Sequence, residues 1–410
     1  MEEVVERDNL RQALKRVKAN KGSPGIDGMT VEDLPAYLQE NWERLRAQLL
    51  DGSYQPLPVR LHEIPKSGGG VRTLGIPAVA DRFLQQAILQ VLQPRFDPTF
   101  SEHSYGFRPG RSAHDAVKAA QRYIQQGRRW CVDLDLEKFF DRINHDVLMG
   151  KLSKRIADKR VLRLIRRYLE VGTMADGVVM ERHEGSPQGG PLSPLLANVL
   201  LDEVDKELEK RGHAFVRYAD DCNVYVQSKR AGERVMEALR GLYGALHLRV
   251  NEAKSAVARP WDRKFLGYSF WVAKDGTIKL RIADKALATL KERVREITGR
   301  SRGRSLQSVI AELRRYLVGW KAYFRLTELR GVFRELDQWI RRRLRMVLLK
   351  QWRHGPRIFR ELCARGAPPN AAASAAAHAQ RWWRIARHPA LNIALPPREL
   401  HRLGLPSLAT

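Results

Sequence analysis

The sequence predicts an α+β protein that turns wholly helical in its last third. Three observations carry this reading. WCVDLDL (130–136) and FVRYADDCNVYV (215–226) have the length and apolar pattern of strands. Between such segments, apolar residues recur three and four apart, as on amphipathic helices. From about Asp284 only the helical spacing remains, and the chain becomes Arg-rich.

Taken in order, residues 2–19 read as one helix, with Val5, Leu10, Leu14 and Val17 on a shared face. NKGSPGIDGMTVEDL supplies turn residues and an N-cap at Thr30, with Asp33 three positions on. VRLHEIPKSGGGVRTLGI (59–76) is a β-hairpin with its tip at Ser67–Gly70, followed by a helix over about 81–92. SYGFRPGRSAHDAV is a Gly/Pro-punctuated loop entering a helix near Ala113. Helices run through 145–171, and SPQGG precedes a further helix start. A helix near 231–246, the segment NEAKS and a hairpin, KFLGYSFWVAKDGTIKL, follow the 215–226 stretch. In the helical third, Leu313, Leu317, Trp320 and Phe324 form one apolar stripe, and Phe333, Leu336, Ile340, Leu344 and Val347 another. Residues 367–379 collapse to Ala, Pro and Ser, a linker or a weakly specified helix, before a small basic tail with Trp382 and Trp383.

Composition narrows the function classes. There are 73 Lys and Arg against 46 Asp and Glu, a net charge of +27. Such a surplus points to a polyanionic partner, nucleic acid ahead of an anionic membrane. Most of it falls after Arg281, which makes the helical third the main electrostatic grip. Cys131, Cys222 and Cys363 are too scattered for a disulfide framework or a paired-cysteine zinc site, as suits a reducing cytosol. MEEVVERDNL is unlike a signal peptide, and no apolar run approaches membrane-spanning length. A cytoplasmic protein with no membrane partner is expected.

The acids carry the chemistry. YADD alone is an ordinary turn, since Asp accepts turn geometry. WCVDLDLEKFF changes that reading: alternation puts Val132, Leu134 and Leu136 on one face and Asp133 and Asp135 on the other. If this strand pairs beside the 215–226 hairpin, Asp135 converges with Asp220 and Asp221. Carboxylates that close repel unless cations neutralise them. Hard oxygen ligands suit Mg²⁺, which completes its shell with waters and substrate phosphates. Two such ions roughly 3.5–4 Å apart stabilise the attacking and leaving oxygens of a phosphoryl displacement. That is the chemistry of nucleic-acid polymerisation.

Other parts of such a site are present in the sequence. Lys66 and Arg72 flank the glycine-rich tip of the first hairpin and are candidates for a triphosphate, or simply solvated cations. Phe139 and Phe140 follow Asp135 closely enough for one ring to block a ribose 2′-hydroxyl, the other being core. SPQGG offers backbone and the Gln188 amide to a base-pair edge or phosphate.

In order, GSPGIDGMTVEDL, PKSGGGVRTLGIP, SYGFRPGRSAHDAV, DLEKFFDRINHD, SPQGGPLSPLLANVLLDEVD, YADD, NEAKS and FLGYSF resemble the blocks of bacterial group II intron reverse transcriptases and maturases. The resemblance runs nearly end to end. It implies a right-hand polymerase whose fingers and palm contain antiparallel sheet. An N-terminal extension and fingers would occupy 1–130 and the palm 131–272. A helical thumb or maturase domain would occupy 280–366, and a small basic DNA-binding region 367–410. By this resemblance Asp135, Asp220 and Asp221 are catalytic and hold two Mg²⁺ ions, with Mn²⁺ as a substitute and the Leu136 carbonyl as a further ligand. Asp133 is the earlier acid of its strand, but the family's spacing to FFD selects Asp135. Lys66, Arg72, Gln188 and Lys254 map to dNTP contacts, and Phe140 to the sugar-sensing ring with Phe139 as the alternative. Arg108, Arg111, Arg341, Arg342, Arg343 and Arg345 are expected on RNA or DNA, the last four because they occupy several faces of one helix. Trp320, Tyr323, Trp339 and Trp352 are expected in the helix core instead.

The partners implied are group II intron RNA, an RNA template with a DNA or RNA primer, target DNA and dNTPs; monomer and homodimer both stay open. Many relatives carry an HNH endonuclease after the tail. None follows here, and Cys363 has no cysteine partner, so second-strand cleavage is not expected of this chain. Two other readings remain: a stand-alone reverse transcriptase of the retron, diversity-generating or defence type, and a splicing chaperone whose polymerase activity has lapsed. The long helical segment over 300–350 argues against the first, and the intact acids against the second.

Overall fold

Met1 to Glu6 form turns, and the first helix, α1, spans Arg7–Ala19. The expected helix over 2–19 is shortened because its first residues turn inward. The Val4 N–H bonds the Met1 carbonyl at 2.9 Å, Met1 and Val4 are buried, and the terminal ammonium pairs with Asp158. The computed structural model describes residues 1–65, 71–175, 178–180, 184–187, 189–299 and 303–409. Two units divide it, Met1–Pro260 and Trp261–Thr410.

In the first unit, α2 (Leu34–Asp51) follows the expected exchange of bonds between Thr30 and Asp33, one turn ahead of the regular helix. β1 (Val59–Pro65) and β2 (Val71–Ile76) make the expected antiparallel hairpin, whose tip lies outside the described residues. Next come α3 (Val79–Phe96) and α4 (Ala113–Gln125), the latter opened by a Ser112–Asp115 capping box. β3 (Trp130–Leu134), α5 (His145–Ser153) and α6 (Lys159–Glu170) precede two strands not anticipated, β4 (Thr173–Ala175) and β5 (Val178–Met180). Their three residues each carry no readable period, and β4 is recruited by parallel pairing to β1. The unit closes with α7 (Ser193–Lys210), β6 (Ala214–Tyr218), β7 (Asp221–Val226), α8 (Lys229–Ala245) and β8 (Ala256–Ala258).

Two sheets result, in the orders β2-β1-β4-β5 and β6-β7-β3-β8. The second is antiparallel throughout and packs against α4, α7 and α8. Alternation along β3 sends Val132 and Leu134 into this core, where both are fully buried.

Asp81, near the start of α3, is buried beneath the first sheet's entry. Its carboxylate accepts from the Tyr54 hydroxyl (2.8 Å) and the Leu57 N–H (3.0 Å). Burial outweighs those bonds and pushes its pKa up to about 6. An acid with a raised value binds its proton more tightly folded than unfolded. Its stabilising contribution is therefore complete below the ordinary aspartate range and is lost as pH rises through about 6. Relative to the parent, Asp81→Asn is expected to gain about 2 kcal/mol between pH 4 and pH 7, whatever it loses at every pH. Urea melts across that range measure it.

The second unit begins with β9 (Lys264–Phe265), β10 (Tyr268–Val272) and β11 (Ile278–Ile282), a sheet of its own. Of the three, β9 and β10 fall within the expected palm span of 131–272; among the described residues all three pair with one another, and the Tyr268 ring packs on Tyr323 and Phe324. The helices are α9 (Asp284–Ile297), α10 (Leu306–Tyr323), α11 (Gly331–Trp352) and α12 (Gly355–Ala364). Both predicted apolar stripes are buried, as are Trp320 and Trp352, whereas Tyr323 is partly exposed and Trp339 half-buried. The alanine-rich stretch forms a helix, α13 (Pro369–Ala376), because Ala372 and Ala375 bury where α12 comes close. Short helices α14 (Trp382–Ile385), α15 (Pro389–Ala394) and α16 (Pro397–Arg402) complete the unit.

Candidate active site

The register of the second sheet sets the acids. The β3–β7 ladder ends where Leu134 pairs with Cys222, and Asp135 and Asp221 are the adjoining residues of the two segments. Tyr218 pairs with Asp221, leaving Ala219 and Asp220 as a two-residue hairpin tip. Such tips need positive φ to follow the strand twist. Ala219 supplies it at 58°, a left-handed conformation that a residue with a Cβ takes at some cost.

The NEAKS segment wraps the end of β3. The Asp135 N–H donates to Ser255 Oγ (3.0 Å), and its carbonyl accepts from the Asn251 N–H (2.8 Å). Lys254 Nζ lies 3.4 Å from Asp135 Oδ1. Leu136 bridges to Val250, but the bonds of that bridge come from neighbours: Glu137 N–H to the Arg249 carbonyl, and Asn251 N–H to that of Asp135. The bridge therefore does not consume the Leu136 carbonyl. Asp133, two positions back, faces Asn223 and Ala256 within the ladder.

Packing separates the two phenylalanines. Residues Phe139–Asp141 form a single tight turn in which Phe139 is buried and Phe140 half-buried, their centroids 5.0 Å apart, edge to face. The Phe140 carbonyl accepts from the Ser186 N–H at 2.7 Å, tying the ring's backbone to the SPQGG loop. Gly185 permits this approach: at φ 91°, a Cβ there would stand 2.9 Å from the Phe140 carbonyl oxygen. Arg72 stands on β2 opposite Ile64, while Lys66 and Gln188 lie outside the described residues.

The arginines expected on nucleic acid differ in how far the fold itself engages them. Arg108 is buried, its Nε 2.9 Å from Asp97 Oδ1 and its Nη1 on the Ser101 and Ser104 carbonyls. Arg111 is engaged by Glu102. Arg345 is buried against Asn392 and the Leu395 carbonyl (2.9 Å), and burial, then Arg341, lowers its pKa to about 10. Arg342 lies 3.6 Å over the Trp383 ring and bonds that residue's carbonyl. Arg343 reaches Thr298 Oγ1 and the Arg295 carbonyl at the end of α9. Charge on several helix faces does not imply solvent, because guanidinium groups also satisfy helix-end carbonyls. Arg341 has no such clamp among the described residues. Arg108→Met is expected to lower stability by about 2–4 kcal/mol, by leaving the Asp97 carboxylate and three carbonyls, those of Asp97, Ser101 and Ser104, short of a donor. The salt dependence of RNA binding should be unchanged; thermal melts and filter binding read the two.

Sequence reasoning passed over Arg217, which sits fully buried in β6 against an equally buried Asp205 of α7. The available signal was an arginine within an otherwise apolar strand, AFVRY, and an aspartate beside Leu201, Val204 and Leu208 on the inward helix face.

Comparison with known families now bears on this geometry. Residues 64–270 match the family described as reverse transcriptase (RNA-dependent DNA polymerase), and residues 287–363 the group II intron maturase-specific domain. Fold and site thus define a reverse transcriptase, of right-hand polymerase architecture. More narrowly, the chain belongs to the group II intron-encoded reverse transcriptase and maturase family. It is 35% identical over 301 residues to Protein YkfC of Escherichia coli (strain K12), covering 63% of this chain and 79% of that one. It is 28% identical over 334 residues to the group II intron-encoded protein LtrA of Lactococcus lactis subsp. cremoris, covering 65% and 55%. With the putative COX1/OXI3 intron 1 protein of Saccharomyces cerevisiae it shares 27% over 364 residues, covering 75% and 42%. The chain thus spans little more than half of LtrA and under half of the yeast protein. Among the described residues, no helix is long and apolar enough to cross a membrane.

Proposed function

We propose that this reverse transcriptase binds the RNA of its group II intron, assists its splicing and copies it into DNA during retrohoming, by two-metal nucleotidyl transfer. The observation that carries the mechanism is the β3–β7 register, which ends at Leu134–Cys222 with Asp135 and Asp221 the adjoining residues of the two segments, beside the Asp220 tip. Among the described residues, no three Asp, Glu, His or Cys side chains are gathered closely enough to hold an ion unaided. An Mg²⁺ ion there would therefore need waters and substrate phosphates to complete its shell beside one or two carboxylates. Asp135, Asp220 and Asp221 would hold it, with the Leu136 carbonyl as a neutral ligand. When bound, Mg²⁺ or Mn²⁺ supplies charge neutralisation at the attacking 3′-oxygen and the departing pyrophosphate.

The chain's own groups do the rest. Lys66 and Arg72 take the triphosphate, Gln188 approaches the nascent base pair, and Lys254 adds a cation at the Asp135 rim. Phe140, the more open ring of its pair, excludes a ribose 2′-hydroxyl. The basic helical unit neutralises phosphates of the intron RNA, so affinity falls steeply with salt. The maturase-specific domain favours this reading over a stand-alone reverse transcriptase.

Primer extension by the purified protein on a structured RNA, beside splicing of the cognate intron at low magnesium, tests the proposal. DNA product and faster splicing are expected; splicing assistance with no product under any metal would favour the lapsed-polymerase chaperone. Phe140→Val is expected to relax discrimination against ribonucleotides by about 1–3 kcal/mol, or 10–200-fold in relative kcat/KM. Single-nucleotide kinetics with paired dNTP and rNTP substrates measure it.

A further inference from the structure

Arg217 and Asp205 are both fully buried, and the guanidinium is entirely committed. Nε lies 2.8 and 2.9 Å from the two Asp205 oxygens, and Nη2 is 2.5 Å from Oδ2. Nη2 also donates to Ser104 Oγ (2.8 Å), and Nη1 to Asn198 Oδ1 (3.0 Å) and the Ala219 carbonyl (2.9 Å). The last contact is the informative one. Arg217 reaches past Tyr218 to grip the carbonyl of the residue that holds positive φ, immediately before Asp220.

The surroundings brace the same tip. The Arg217 N–H donates to the His103 carbonyl and its carbonyl accepts from the Tyr105 N–H, each at 2.9 Å, so the SYG loop lies along β6 as an extra edge. Asn198, on α7 with Asp205, donates to the Gly106 carbonyl at 2.9 Å. A helix, a loop and a strand therefore meet at one guanidinium. Stability alone is a poor explanation, because buried ion pairs are often no better than well-packed apolar residues of similar size. An apolar pair, however, could not hold the Ala219 carbonyl.

We propose that Arg217 is a positioning residue for nucleotidyl transfer. Its fork, oriented by Asp205, Asn198 and Ser104, fixes the Ala219 carbonyl and so sets where Asp220 presents its carboxylate. This rests on the reading of Asp220 as a metal-holding acid. The pair Asp205–Arg217 is fully buried, and its link to the tip is the bond to the Ala219 carbonyl.

The test is the full chain carrying Arg217→Met with Asp205→Leu, which removes both buried charges together. It is expected to fold with a lowered melting temperature, because Asn198 Oδ1 and the Ala219 carbonyl lose a donor, and to bind template–primer with parental affinity. Hydrogen exchange at the amides of Ala219 to Cys222 should quicken by about tenfold or more while those of Val132 and Leu134 stay protected. The kcat should fall by about tenfold or more with little change in KM for dNTP. A folded double variant with parental kcat and parental exchange at the tip overturns the proposal. If that variant does not fold, Arg217→Lys carries the test. It keeps the charge facing Asp205 but cannot also span to Ala219, so a folded Lys variant with parental kcat overturns the proposal equally. Asp220→Asn runs alongside: parental turnover there would sink the reading of the site, while exchange at the tip still decides whether Arg217 clamps it.

Discussion

Asp220→Asn is expected to reduce dNTP incorporation on an RNA template by about 10³-fold or more, with RNA affinity and melting temperature unchanged. The substitution is nearly isosteric and falls at a hairpin tip, so it disturbs little packing. What it would remove, on the proposed mechanism, is one anionic oxygen donor for a divalent ion. Charge stabilisation by such ions is worth several kcal/mol in a phosphoryl-transfer transition state, and every 1.36 kcal/mol is tenfold in rate. The loss should appear in kcat at saturating dNTP. RNA binding is expected to rest on phosphates meeting the basic helical unit, whereas Asp220 belongs to the unit Met1–Pro260. Single-turnover primer extension, paired with filter binding, measures both halves of the expectation. Parental extension would mean that the acid at this tip holds no catalytic ion.

The second large effect is expected from one methyl group. A Cβ on Gly106 would stand 2.2 Å from the Ala219 backbone nitrogen and 3.0 Å from the Tyr218 carbonyl carbon. Neither atom belongs to a flexible side chain, so the loop or the catalytic tip must move. Overpacking of this kind costs about 1–3 kcal/mol of stability. The greater consequence is functional, because the displaced residue adjoins Asp220, and small misplacements at a reacting centre can cost about 10²-fold. Gly106→Ala should therefore lose more activity than stability. Gly150→Ala in α5 is the control: nothing lies within 4 Å of its added methyl, and a helix gains up to about 1 kcal/mol from Ala over Gly. Thermal melts and primer extension on both variants separate steric displacement from general sensitivity.

Much of the site could be read in the chain because its signals are local. Period-two alternation over 130–136 marked Asp135 as an acid on a strand otherwise turned to the core. The flanking apolar halves of 215–226 marked the Asp220–Asp221 tip. What escaped was set by partners distant in sequence. Phe139 and Phe140 cannot be told apart until packing buries one of them. Arg217 and Asp205 each read as an anomaly in a separate element, and only the fold joins them. β4 and β5 are too short to carry a period and exist through their pairing with β1 and with each other. The Arg-rich stretch of α11 was only partly legible for another reason. Counting faces treats every arginine as solvated, yet Arg342, Arg343 and Arg345 satisfy carbonyls at the ends of neighbouring segments. Helix α13 was half legible: alanine favours a helix, but burial of Ala372 and Ala375 decides it.

Anomalous diffraction from Mn²⁺ in a complex with RNA template, DNA primer and a non-hydrolysable dNTP probes the shared site of these acids most directly. The expected map places manganese between Asp135 and Asp220, within ligand distance of both carboxylates and of the triphosphate. Manganese bound elsewhere, with Asp135 and Asp220 turned from each other in the filled complex, would contradict the two-metal account and leave the acids without the role assigned to them.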